Sequence, residues 1–246
     1  MLPTSWSSSR IALVAMSTLA LVLPQVSVEA QIKGGVMGGA SITNFTGIAT
    51  GSVCDPDTGC ASATTSNRIG LQLGGFLQIP ISGMWSFQPE LHFIQKGGKT
   101  NVSISGDEFG DPFTADLDLS LAYLEVPALL RLDLGSRRLR PFFVAGPSVA
   151  LRVGCDVGVS VDGLGSVSTA CDEGEPFTGE DGATVDDPIK KFDVGGIIGA
   201  GVSGLFGGRT LSAQVRYARG FVNVLKDSGE SASRNTGVSI LFGVGF

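Results

Sequence analysis

Residues 123–151, YLEVPALLRLDLGSRRLRPFFVAGPSVAL, constrain this chain more than any other stretch. Two arms alternate with a period of two around a tight basic turn at Gly135-Ser136-Arg137-Arg138. Ala122, Leu124, Val126, Ala128, Leu130 and Leu132 share one face of the first arm. Phe143, Ala145, Pro147, Val149 and Leu151 share one face of the second. The opposite register carries Tyr123, Glu125 and Arg131, then Arg140, Ser148 and Arg152. Alternation held this long is the mark of strands, not helices. One face is almost wholly apolar, while the other mixes small residues with charges of both signs. A soluble sandwich turns its apolar face inward, whereas a membrane barrel turns it outward against lipid.

The remaining segments repeat the pattern. Residues 32–43 are Gly-rich, with Ile32, Val36, Ala40 and Ile42 in one register. Residues 68–79 set Ile69, Leu71, Leu73, Leu77 and Ile79 against Gly70, Gln72, Gly74, Phe76 and Gln78. In 85–96, Trp85, Phe87, Leu91 and Phe93 oppose Gln88, Glu90, His92 and Lys96. A third hairpin, 192–206 with 211–224, turns at Gly207-Gly208-Arg209, and 236–246 closes the chain. About eight strands result, each long enough to cross a bilayer at a tilt. The connections alternate in length. Turns near Ser82, Ser136 and Gly207 are short, while 45–67, 97–118, 154–191 and 225–235 are expected as long loops. Short periplasmic turns and long outer loops are the asymmetry of outer-membrane barrels.

Export follows from the beginning of the chain. Residues 1–30 are expected to be a signal peptide: Arg10 gives a positive start, 11–23 is an apolar run, and Val28-Glu29-Ala30 ends in a small residue. The run is too short for a spanning helix, which needs about 20 apolar residues. The domain is then 31–246, and any membrane span within it is β. The mean hydropathy of +0.29 is spread over alternating segments. The net charge of −6 leaves no basic surface for nucleic acid. Acidic residues gather in 154–191 and 97–118, for which solvation is the simplest reading.

Tyr123-Leu124-Glu125-Val126-Pro127, followed by Pro141-Phe142-Phe143-Val144-Ala145-Gly146-Pro147-Ser148, resembles two successive strands of the small "porin family" outer-membrane β-barrel domain proteins. Lys33-Gly34-Gly35 and Val215-Arg216-Tyr217-Ala218-Arg219-Gly220 are similar to their first and seventh strands. The resemblance covers essentially all of 31–246 and implies architecture, not activity. It also implies that Phe246 is the terminal aromatic read by the barrel-assembly machinery. With only two Trp and two Tyr, interfacial girdles here must lean on Phe.

Cys54, Cys60, Cys155 and Cys171 are permitted to form disulfides in an exported chain. Local pairing, Cys54 with Cys60 and Cys155 with Cys171, is the simplest of three arrangements, and a cross-loop arrangement is the alternative. No CxxC spacing supports a thiolate metal site. Asp55-Pro56-Asp57-Thr58-Gly59 looks like the start of a calcium loop but lacks the closing Glu, and a rigid turn is the simpler reading. Gly199-Ala200-Gly201-Val202-Ser203-Gly204 spells G-x-G-x-x-G in a strand pattern that opens no helix, so a dinucleotide is not expected. His92, the single histidine, and Ser148 could serve a lipid-modifying enzyme only if brought together with an acid near one rim.

An all-β, eight-stranded antiparallel up-and-down transmembrane barrel is therefore expected. Lys33, Glu90, His92, Glu125, Arg131, Arg140, Arg152 and Arg216 fall in its interior register. An eight-stranded interior is just wide enough for side chains to fill, and buried charges are stable only when paired. The reading favours a plugged interior, with Glu125 expected to pair with Arg131 or Arg216. The expected role is non-enzymatic, structural or in surface interaction, without cofactor or metal, through disulfide-pinned acidic loops. A narrow channel or small-solute porin is the alternative, a lipid-modifying enzyme comes next, and a soluble lipocalin-like barrel conflicts with the apolar outer face. Expected partners are outer-membrane lipid and, during biogenesis, the assembly machinery. A closed barrel has no edge to cover and is expected as a monomer.

Overall fold

A computed structural model describes residues 32–46, 50–55, 59–105, 113–135, 138–161, 165–171, 190–223 and 234–246. The expected signal peptide, the residues 56–58 of the suspected calcium loop and most of the acidic stretch 154–191 lie outside them. Ten strands occur among the described residues: β1 Lys33–Thr46, β2 Gly51–Asp55, β3 Gly59–Ser82, β4 Trp85–Ser105, β5 Phe113–Asp133, β6 Leu139–Val161, β7 Gly165–Ala170, β8 Phe192–Phe206, β9 Arg209–Gly220 and β10 Arg234–Gly245. Eight of them form a closed antiparallel ring, β1-β3-β4-β5-β6-β8-β9-β10, in which β10 pairs back onto β1. Closure satisfies every wall strand on both sides, which a β structure in lipid requires.

The alternation seen in the sequence becomes the two faces of the wall. Leu73, Leu91, Val126, Phe143, Ile198, Val215 and Phe242 are exposed on the outside. Gln88, Glu90, His92, Glu125, Arg131, Ser148 and Arg216 are buried inside. The β8–β9 connection is a two-residue hairpin with Phe206 opposite Arg209. Its two residues, Gly207 (φ 57°) and Gly208 (φ 79°), both take the left-handed region that this turn demands and that glycine adopts freely.

All four of the expected long loops are in part strand, the last only at its end, where β10 begins at Arg234. β3 to β6 run for 21 to 24 residues each, about twice what a tilted crossing needs. β1 leaves β3 after Thr43 opposite Arg68, and β8 leaves β6 after Phe192 opposite Leu151. Beyond that level a six-stranded open sheet, β2-β3-β4-β5-β6-β7, continues from one side of the barrel. Register shifts mark the junction, between Asn67 and Gln72 in β3 and at Ala122/Tyr123 between β5 and β6. Such bulges bend a sheet and re-aim its side chains. Segments such as 59–67, rich in Ser, Thr and Ala, carry no lipid-facing side chains and so read as loop from the sequence.

Candidate functional site

The interior is filled from the short-turn end upward. Asp133 accepts from Gln78 (Nε2 to Oδ2, 3.1 Å) and from Arg131, whose Nη2 lies 2.8 Å from Oδ1. The Arg131 guanidinium stacks 3.7 Å over the Phe142 ring and donates to Gln88 Oε1 at 3.2 Å. Gln88 in turn donates to Glu90 Oε1 at 2.5 Å. Glu90 sits at the centre of this chain: Arg216 donates to both its oxygens, at 2.5 and 2.7 Å, and His92 Nε2 lies 2.8 Å from Oε2. Arg216 Nε donates to Gln214 Oε1 at 3.1 Å, and Gln72 lies 3.4 Å from His92 Nδ1. Two-pronged guanidinium–carboxylate pairing is the strongest form such a contact takes.

Glu125 takes a different partner from the two expected. Lys96 Nζ donates to its Oε1 at 3.0 Å, and Ser148 Oγ to the same oxygen at 3.3 Å. Arg131 is six residues along β5 from Glu125, about 20 Å at strand rise, and out of reach. Arg216 gives both prongs of its guanidinium to Glu90 instead. Lys33 and Arg140, also expected inside, are exposed. Arg152 is buried near the upper end of the barrel. Lys96, Asp133, Asp193, Gln78, Gln88 and Gln214 belong to the interior network beyond the charges expected there from the sequence. Their inward parity was the available signal.

The interior also holds bulky apolar side chains. Leu129, Phe142, Val144 and Ile197 form one cluster. Phe45, Ile94, Leu121, Tyr123, Ala150 and Cys155 form a second at the level where the open sheet begins. Between charge and cap, a cavity of about 20 Å³ is lined by Lys96, Glu125, Asp193 and Asn235 among others, the room of about one water. The glycines of the G-x-G-x-x-G run make space for this filling. A Cβ on Gly201 would come within 2.6 Å of the Phe142 ring, and one on Gly199 within 2.9 Å of Arg216 Cγ.

Ser148 meets Glu125, while His92 meets Glu90 and Gln72. Both side chains are buried inside the wall, and they are hydrogen-bonded to different glutamates. Cys54 is bonded to Cys60, its direct partner across β2 and β3, and Cys155 to Cys171. These cysteines sit on or beside strands of the open sheet, not in irregular loops. Phe246 lies on the outside, its backbone paired with Gly34 of β1 (N to O, 2.9 Å).

Above the junction the two faces exchange character. In β5 the outward positions Leu124 and Val126 give way to Asp118 and Asp116, while Leu117, Leu119 and Leu121 take the inward side. Direct cross-strand partners share a face. Lys99 and Asp118 are paired, with Nζ 3.4 Å from Oδ2, and Arg68 binds the other oxygen of Asp118. Asn101 donates to Asp116 at 2.8 Å.

The family model for the outer membrane protein beta-barrel domain matches residues 25–226. A search of curated proteins gave no match. Among solved structures, Neisserial surface protein A is 12% identical with a TM-score of 0.40, covering 87% of this chain and 96% of that one. Ail of Yersinia pestis, solved with the heparin analogue sucrose octasulfate, is 12% identical with a TM-score of 0.36, over 87% and 99% of the two chains. OprG of Pseudomonas aeruginosa is 12% identical with a TM-score of 0.36, over 88% and 97%. The family match spans most of the barrel wall described above, and the chain belongs to the outer membrane protein beta-barrel domain family, whose place is the bacterial outer membrane.

Proposed function

We propose that this outer-membrane barrel is non-enzymatic, that its interior is closed to solutes, and that it acts at the cell surface through the open sheet. The observation that carries this reading is the continuous side-chain chain from Gln78 through Asp133, Arg131, Gln88 and Glu90 to Arg216. An eight-stranded interior has no spare width beside such a filling. The disulfides, one in each outer hairpin of the open sheet, support a rigid surface element. Ser148 and His92 are engaged by different carboxylates and not hydrogen-bonded as nucleophile and base, which speaks against an acyl-transfer site. In this reading residues 1–30 are removed on export, the short turns face the periplasm and the open sheet faces out. Phe246 is the assembly signal, lipid is the constant partner, and the closed ring works as a monomer.

Two measurements test it. Purified protein refolded into a planar bilayer, with insertion verified by protease protection, is expected to give no stepwise current; a stable unitary conductance would replace this reading with a narrow channel. Amine labelling of intact cells is expected to modify Lys99, whose side chain is about half exposed (54%). Labelling of Lys99 only after the outer membrane is opened would reverse the orientation.

A further inference from the structure

We propose that the outward face of the open sheet is a binding site for a neutral hexose oligosaccharide. Two complete cross-strand rows make up this face. One runs Ser66, Lys99, Asp118, Gly158, Ser168, and the next Thr64, Asn101, Asp116, Ser160, Ser166. Nine of the ten positions present a hydroxyl, amide, carboxylate or ammonium, and the tenth is glycine. A cavity of about 410 Å³ opens over all of these residues but Thr64, with Leu117 and Val167 also at its wall, within the span of ~300–1,000 Å³ usual for small-molecule sites. The row between them, on the other face, carries Leu117, Val159 and Val167 beside Thr65 and Thr100, so charged side chains are confined to the proposed face of these rows.

The chemistry selects the ligand class. Each sugar hydroxyl both donates and accepts, as do Ser and Thr hydroxyls and the Asn101 amide, while Asp116 can accept from two neighbouring hydroxyls. Arg68 and Lys99 are balanced by Asp116 and Asp118, and the nearer pair is already joined. A phosphate polymer or polysulfate would therefore meet as many carboxylates as cations. The position fits as well. Along β5 the same side of the strand passes from lipid-facing Leu124 to Asp118 and Asp116 without a break, so the face stands where the sugars of a lipid leaflet would lie. No aromatic ring lies in either row, so binding rests on hydrogen bonds, with a Kd of roughly 1 mM.

The inference rests on the reading above for the source of the saccharide, not for whether the face binds one. Gly158 provides the test. A Cβ there would meet only Asp118 Cβ and O, at 3.7 and 3.8 Å, so Gly158→Phe fills the cavity without displacing the sheet. The full chain, in a detergent without a sugar head group, is titrated with maltoheptaose and with a galactose oligosaccharide. In parallel it is placed in nanodiscs with and without a digalactosyl glycerolipid. Hydrogen exchange is followed at 99–101, 116–118, 158–160 and 166–168. Saturable protection by a free oligosaccharide would show that the saccharide suffices, and protection only by the glycolipid would place its source in the leaflet; either supports the site. In both cases Gly158→Phe should weaken binding at least about tenfold, and Asp116→Ala should do so where the Phe variant folds poorly. No protection from any probe, or equal protection in a correctly folded Gly158→Phe protein, overturns the site. A silent bilayer and external Lys99 labelling alongside that result would leave the surface-protein reading standing.

Discussion

Glu90 and Arg216 face each other inside the barrel with their side chains almost fully removed from water (0% and 2% exposed), so neither charge is stable alone. Removing one member of a buried pair costs about 3–5 kcal/mol, whereas replacing both with apolar side chains of similar size is often near neutral. Arg216→Met is therefore expected to lower the stability of the refolded protein by about that amount. Glu90→Leu combined with Arg216→Met should recover most of it. Urea unfolding from lipid vesicles measures both, and a double variant as unstable as the sum of the singles would show that the two charges are not coupled. The same scale explains why the sequence points Glu125 to partners it does not meet. Parity says which side chains enter the interior, but not their height, and Arg131 fails on height alone. Lys96 shares the inward parity of Glu90 and His92; only the register of β4 against β5 brings its ammonium to Glu125.

At the scale of elements, the two disulfides tie strands that lie outside the ring. Among the described residues β2 pairs only with β3, and β7 only with β6. The bonds close spans of 6 and 16 residues, for which loop-closure entropy gives about 2 and 3 kcal/mol. Reduction should therefore loosen these hairpins locally. Hydrogen exchange is expected to speed up in β2 and β7 and to stay unchanged in β8, β9 and β10. Equal acceleration in β9 would mean that the sheet and the ring form one cooperative unit. The open sheet was partly legible. In β5 the apolar parity slips between Leu121 and Leu124, from odd to even positions, which is the sign of a strand changing surroundings. In β6 the apolar parity runs on unbroken from Leu151 to Val161, and an extra residue opposite Ala122/Tyr123 turns the face instead. That second device leaves no trace in the alternation.

For the whole molecule, the exchange of faces is expected to mark where lipid ends. Ile198, on the ring, is 61% exposed among outward apolar neighbours; Ser160, on the open sheet, points outward above them. An Arg on the lipid face near mid-membrane costs about 2–4 kcal/mol, falling toward zero near the interface. Ile198→Arg should destabilise folding into vesicles by that amount, while Ser160→Arg should change it by less than about 1 kcal/mol. A large loss for Ser160→Arg would put the open sheet in lipid and move the boundary upward. The filling of the interior belongs to this scale too. The expectation of closure rested on charge pairing, and the ring adds a second filling, with Phe142 and Leu129 packed against Val144 and Ile197.

The sequence by itself determined the all-β ring, the outward apolar side and most of the polar residues inside, because a period of two assigns every side chain to a face; Lys33 and Arg140 share the inward parity but stand exposed. Tertiary structure decided which of those residues meet. Strand register sets height along the barrel, and register is a property of pairs of strands that no single strand encodes. The same holds for the open sheet. Residues 59–67 and 97–105 became strands because neighbours stood ready to pair with them, and backbone pairing needs no apolar pattern to announce it.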